Sequence, residues 1–60
     1  MGLDKLPEIM TIQELSEFLK VSVITIRRAI DSNQLEAFKV GKGWRIEREA
    51  VIEWLDKEQQ

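Results

Sequence analysis

VSVITIRRAIDSNQLEAFKVGKGWRI, residues 21–46, is the stretch that decides the fold of this 60-residue chain. Ser22 is a good N-cap, and apolar residues follow it at helical spacing, so we expect a helix that begins there. Asn33 suits the left-handed position that ends such a helix. Two short segments in which side chains that point to opposite faces alternate then flank Gly41-Lys42-Gly43, and this pattern predicts a β-hairpin.

The predicted helix separates apolar from cationic side chains. Ile26, Ala29 and Ile30 cluster on one side of a helical wheel and form the candidate core face. The opposite side and its two flanks carry an isoleucine, a hydroxyl and two guanidiniums, which belong to Ile24, Thr25, Arg27 and Arg28.

The hairpin is predicted to have one apolar and one basic face. Alternation along its strands gives an apolar underside formed by Phe38, Val40, Trp44 and Ile46. Lys39 and Arg45 are expected on the opposite face, with Lys42 at the tip of the turn. We expect both tryptophans, Trp44 and Trp54, to pack in the core.

Two further helices are predicted outside the central stretch. Thr11–Glu14 has the pattern of a capping box, and the helix it begins carries an apolar stripe of Ile12, Leu15, Phe18 and Leu19. Residues 20–22 separate that helix from the next one, with the spacing of a helix-turn-helix. The last helix follows the hairpin, with an apolar stripe of Ala50, Val51, Trp54 and Leu55.

The expected fold is therefore a small α+β winged helix-turn-helix of order α-α-β-β-α with a two-stranded wing. We expect this domain to occupy residues 10–57. Residues 1–9 are expected to form a flexible N-terminal lead, and residues 58–60 a C-terminal tail.

Composition excludes several function classes. The chain has no Cys and no His, which removes disulfides, thiolate-bound metal and the commonest general base. Its carboxylates are scattered over solvent-facing positions without catalytic partners, and a domain this small is ill suited to enclosing a substrate pocket. We therefore expect no enzyme, no cofactor, no metal, no membrane segment and no small-molecule ligand.

Charge is concentrated in the middle of the chain, although the whole carries a formal charge of −2. Residues 22–45 contain five Lys and Arg against two Asp and Glu, whereas residues 1–21 and 46–60 are each net acidic. A basic centre of this kind is the electrostatic pattern of a local nucleic-acid contact.

Residues 10–55 resemble the excisionase-type, MerR-like winged helix-turn-helix domains. The resemblance is carried by four stretches in this order: TIQELSEFLKVS, TIRRAI, NQLEAFKVGKGWRI and AVIEWL. The resemblance implies sequence-specific binding of double-stranded DNA, as an excisionase-like recombination accessory factor or a small transcriptional regulator. It implies a cytoplasmic, nucleoid-associated setting of bacterial or phage-like type, with a recombinase or neighbouring copies as further partners. Residues 20, 23 and 24 depart from the family's usual glycine and polar residues.

In that family the second helix enters the major groove and the wing contacts the adjacent groove or backbone. The DNA-contacting residues that the resemblance implies are Thr25, Arg27, Arg28, Lys39, Lys42 and Arg45. Ser22, at the helix N-terminus, and Ile24 are further candidates for DNA contact.

Ile24 leaves a second function open. It is suited to packing on a thymine methyl, to a protein–protein patch, or to a place beneath the wing. The alternative to DNA binding is therefore an interaction adaptor that keeps the winged-helix fold and uses an apolar patch at Val23 and Ile24.

Overall fold

The computed structural model describes residues 5–58 and has the predicted α+β winged helix-turn-helix architecture with one additional strand. Its elements are β1 (Ile9–Thr11), α1 (Ile12–Leu19), α2 (Val23–Asp31), β2 (Phe38–Val40), β3 (Gly43–Glu47) and α3 (Arg48–Glu58). The strands form one antiparallel sheet in the order β1-β3-β2. Among the described residues, no helix has the length and apolar character to cross a membrane.

Helix α1 begins at the predicted capping box. The Thr11 hydroxyl accepts the Glu14 amide at 3.0 Å, and the Glu14 carboxylate accepts the Thr11 amide at 2.9 Å. The helix ends at Lys20, whose φ of 60° is the left-handed conformation that glycine usually supplies. Lys20 therefore makes the helix-turn-helix turn without glycine, at a conformational cost of about 1–2 kcal/mol.

Helix α2 has both predicted ends. The Ser22 hydroxyl accepts the Thr25 amide at 3.2 Å, which caps the N-terminus. At the other end Asn33 has a φ of 64° and follows the C-cap Ser32. The amides of Asn33 and Gln34 donate to carbonyls of Ile30 and Ala29 at 3.1 and 2.9 Å, the paired bonds of a Schellman motif.

The core lies between the three helices and one face of the sheet. It is formed by Leu6, Met10, Leu15, Ile26, Ala29, Ile30, Leu35, Ile46, Val51 and Trp54. The apolar stripe expected for α1 is only partly correct, because Phe18 is 43% exposed whereas Ser16 is buried. The Ser16 hydroxyl donates a hydrogen bond to the Gln13 carbonyl at 2.8 Å. Because its hydrogen-bonding requirement is met in this way, Ser16 can be buried where an apolar side chain was expected.

The expected flexible lead is instead packed against the domain over residues 5–9. Leu6 is 2% exposed and belongs to the core, and β1 begins at Ile9. Two hydrogen bonds tie this segment to the start of α3: the Arg48 amide donates to the Glu8 carbonyl at 3.0 Å and its guanidinium to the Leu6 carbonyl at 3.1 Å. Residues 1–4 and 59–60 lie outside the described residues, and the domain bounds stay a prediction.

The division of the wing into an apolar and a basic face was predicted wrongly. Phe38 pairs with Arg45, and Lys39 pairs with Trp44. Directly opposed residues of an antiparallel pair point to the same face, so Lys39 shares the inner face with Trp44. Phe38 and Val40 lie instead on the outer face with Arg45, 43% and 52% exposed.

The length of the turn explains this difference. The prediction took Gly41-Lys42-Gly43 as a three-residue connection, whereas Gly43 is already the first residue of β3 and pairs with Val40. The connection therefore has two residues, and the register moves by one. Since side chains alternate along a strand, a shift of one residue moves every side chain of β2 to the other face relative to β3.

Replacing Gly41 with alanine tests the two-residue turn. Gly41 has a φ of 62° and open space around its Cα, so the cost of Gly41→Ala is conformational and not steric. We expect the free energy of unfolding to fall by about 1–2 kcal/mol, measured by chemical denaturation.

Gly43→Ala is the matched control. Gly43 lies in β3 without a left-handed backbone, and an added Cβ meets only the end of the Arg45 side chain, which can move away. A change smaller than about 0.5 kcal/mol is expected there. Equal losses from the two substitutions would contradict the turn described here.

Candidate nucleic-acid interface

The solvent-facing side of α2 carries the residues predicted from the helical wheel. Ile26, Ala29 and Ile30 are buried, which turns Ile24, Arg27 and Arg28 outward. Ile24 is 64% exposed, so the alternative in which it lies beneath the wing is wrong. An apolar side chain with two flanking guanidiniums therefore occupies the exposed ridge of the helix.

The N-terminus of α2 presents two linked hydroxyls. The Ser22 and Thr25 hydroxyls lie 2.9 Å apart and share a hydrogen bond, and both residues are exposed. Ser22 also receives the Thr25 amide, so its first role is to fix the start of the helix. Hydroxyls and amides at a helix N-terminus are suited to a negatively charged partner.

Arg27 connects α2 with the wing. Its Cζ lies 5.9 Å from the centroid of the Trp44 ring, and its Nε lies 3.5 Å from Asp31 Oδ1. The Nζ of Lys39 lies 5.7 Å from the same ring centroid. A cation from the helix and a cation from β2 therefore meet at one tryptophan, which places α2 and the inner face of the wing on one side of the molecule.

Arg28 points along a different edge of α2. It lines a shallow groove between α2 and Trp54 of α3, together with Thr25, Asp31 and Ser32. Within the described residues Arg28 has no carboxylate within salt-bridge distance, in contrast to Arg27. Arg28 is therefore not held in an ion pair there, although the Asp31 carboxylate lines the same groove.

The wing divides the remaining cations. Lys42 is exposed in the turn at the tip of the wing. Arg45 lies on the outer face, where its guanidinium folds back and donates to the Trp44 carbonyl at 3.0 Å. Lys39 and Arg45 were expected on one basic face of the wing, but only Lys39 lies on the same side as Arg27.

Sequence reasoning missed Trp44 as part of this surface. It was expected in the core, but it is half-buried at the junction between the wing and α2. The signal that points to it is the turn: a two-residue connection, the commonest in hairpins, pairs Lys39 with Trp44.

Other kinds of site find little support in the described part of the chain. No three residues among its Asp and Glu side chains are grouped so that they could hold a metal ion. Trp54 contributes a buried indole N–H without a hydrogen-bond partner, but it belongs to the core between α2 and α3.

Comparison with known proteins identifies the family. Residues 9–59 match the family model described as a helix-turn-helix domain, a range that begins with β1 and extends through α3. No curated protein and no solved structure matched the chain. The family is typically non-enzymatic, and membership indicates DNA binding as the class of function. On this match and the architecture described above, the chain belongs to the helix-turn-helix domain family.

Proposed function

We propose that this protein binds double-stranded DNA sequence-specifically, with α2 in the major groove and the wing on the adjacent groove or backbone. The observation that carries the proposal is the meeting of Arg27 and Lys39 at Trp44. Because the helix and the wing contribute cations to the same side, a duplex laid along α2 also meets the wing.

The exposed ridge of α2 matches the chemistry of base edges. The major groove is about 12 Å wide and admits one helix. Arg27 and Arg28 are suited to guanine or to phosphate, and Ile24 is suited to a thymine methyl. Ser22 and Thr25, at the helix N-terminus, are placed for backbone phosphates.

The wing supplies backbone contacts in this proposal. Lys42 at the tip and Lys39 on the inner face carry positive charge towards the duplex beside α2. Arg45 lies on the other face and folds back onto its own strand, so we leave it outside the interface. The proposed contact residues are Ser22, Ile24, Thr25, Arg27, Arg28, Lys39 and Lys42.

The charge distribution limits what one copy does alone. The net charge of −2 opposes non-specific binding, and the local cations neutralise roughly three to five phosphates. Modest affinity of this kind suits a factor that acts beside other proteins on DNA. We therefore propose an excisionase-like recombination accessory factor or a small transcriptional regulator, nucleoid-associated in the cytoplasm, with a recombinase or neighbouring copies as partners.

Arg28→Ala tests the DNA-facing side of α2. The parent is titrated with a duplex selected from a random pool at several salt concentrations. A plot of log binding constant against log salt concentration is expected to have a slope of about −3 to −4.5. If Arg28 reads a base, its removal weakens the binding free energy by about 1–3 kcal/mol. If it holds a phosphate, its removal makes the slope less steep by roughly 1.

Lys57→Ala is the control, because it removes one exposed positive charge from the end of α3. It should leave affinity and slope nearly unchanged. Identical binding of Arg28→Ala and the parent at every salt concentration would remove Arg28 from the interface.

A second function is favoured by one observation, the apolar exposure at the start of α2. Val23 and Ile24 are adjacent and 46% and 64% exposed, which is more apolar surface than a single thymine-methyl contact by Ile24 would use. An adaptor that binds another protein, or a second copy, through this patch is therefore the alternative proposal.

Ile24→Asp distinguishes the two functions. If α2 lies in the major groove, the new carboxylate meets DNA phosphates and base edges, and DNA binding is lost while the protein stays monomeric. If the patch binds protein, self-association or partner capture is lost, and the parent shows negligible DNA affinity from the start.

Ile52→Asp is the matched control for that experiment. Ile52 is a partly exposed isoleucine on α3 and is not one of the proposed contact residues. The same loss of DNA binding from both substitutions would indicate a general charge effect and would contradict a specific role for Ile24.

A further inference from the structure

Trp44 has surroundings that core packing alone does not require. It lies half-buried on the inner face of the wing, packed against the edge of the core. Two side chains with positive charge, Arg27 and Lys39, stand within 6 Å of its ring centroid, at 5.9 and 5.7 Å. Arg27 comes from α2 and Lys39 from β2, so the Trp44 ring contacts a cationic side chain from each of these two elements.

The balance of charge at this junction favours an anion. The quadrupole of the Trp44 ring attracts both cations but does not neutralise their charge. Lys39 has no carboxylate partner within the described residues. Arg27 has Asp31 at 3.5 Å, but both side chains are more than half exposed, so that pair is weak. Arg27 and Lys39 against Asp31 leave one net positive charge at the ring, which a phosphate group would neutralise. Glu36 and Glu47 line the cavity on which Trp44 also borders, but within the described part of the chain neither is paired with Arg27 or Lys39.

We infer that Trp44 is a positioning residue for DNA binding, which holds Arg27 and Lys39 at the junction of wing and helix so that both contact the phosphate backbone. This inference rests on the proposed DNA-binding function. Long cationic side chains lose conformational freedom when they bind, and a ring that already restricts them lowers that cost. Trp44 then raises DNA affinity through the two cations without contacting the DNA bases.

The contrast with Trp54 separates positioning from packing. Trp54 is 6% exposed between α2 and α3, and no cation lies over its ring among the described contacts. Trp44, in contrast, packs against the core and also has two cations over its ring. A role in packing predicts that any loss of binding follows a loss of folding, whereas positioning predicts a loss of binding in a folded protein.

Trp44→Leu and Trp44→Phe provide the first arm of the test, with a duplex selected from a random pool by the parent protein. Leucine keeps apolar contact with the core but removes the aromatic face, so affinity is expected to fall about 5- to 30-fold. Phenylalanine keeps an aromatic face and should bind within about threefold of the parent. Far-UV circular dichroism and thermal melting establish that each variant is folded at the temperature of the titration.

The second arm repeats Trp44→Leu in a background that already carries Arg27→Gln and Lys39→Gln. If the ring acts through these cations, removing it causes no further loss there, within about twofold. The salt dependence should also become less steep in Trp44→Leu, because two phosphate contacts are weakened. Phe38→Leu removes an aromatic ring from the outer face and should leave both measurements unchanged.

The outcomes separate the two proposals. A folded parent that binds no duplex overturns the proposed function, and this inference with it. A parent that binds, with Trp44→Leu binding equally well, overturns the inference alone, as does an equal loss with and without Arg27 and Lys39. Upfield ring-current shifts of the Arg27 and Lys39 side-chain protons, lost in Trp44→Leu, are expected without DNA, and their absence would also overturn the inference.

Discussion

The two-residue turn at Gly41-Lys42 is the constraint on which the arrangement of the surface depends. Its left-handed glycine, with a φ of 62°, allows β2 and β3 to be joined by only two residues. That connection sets the register, and the register decides which side chains of β2 share a face with Trp44. With one more residue in the turn, Phe38 and Val40 would share the inner face with Trp44, and Lys39 would lie on the outer face.

The register gives the two sides of the wing different characters. The inner side places Lys39 and Trp44 next to α2, where Arg27 completes a cationic junction. The outer side carries Arg45 folded against its own backbone among exposed apolar residues. The chain is acidic overall, so this junction and the exposed ridge of α2 make a local positive surface in a negative molecule.

Local signals allowed most of the fold to be predicted, and tertiary pairing accounts for what was missed. The capping box at Thr11 and the left-handed Asn33 depend on neighbouring residues, so the sequence indicated them correctly. Strand β1 has three residues and takes its stability from pairing with β3, far along the chain, which no local pattern reveals. The same holds for the burial of Leu6. For the site, periodicity placed Arg27 and Arg28 correctly on the outer side of α2, while the wing faces needed the register.

The central claim is that α2 and the inner face of the wing form one DNA-binding surface. Its most direct test is a two-dimensional ¹H–¹⁵N NMR titration of the protein with duplex DNA. We expect the largest shifts in the amides of residues 22–28 and 39–43 and in the side-chain Nε resonance of Arg27. Shifts confined to α1 and α3, with α2 and the wing unchanged on saturation, would contradict it.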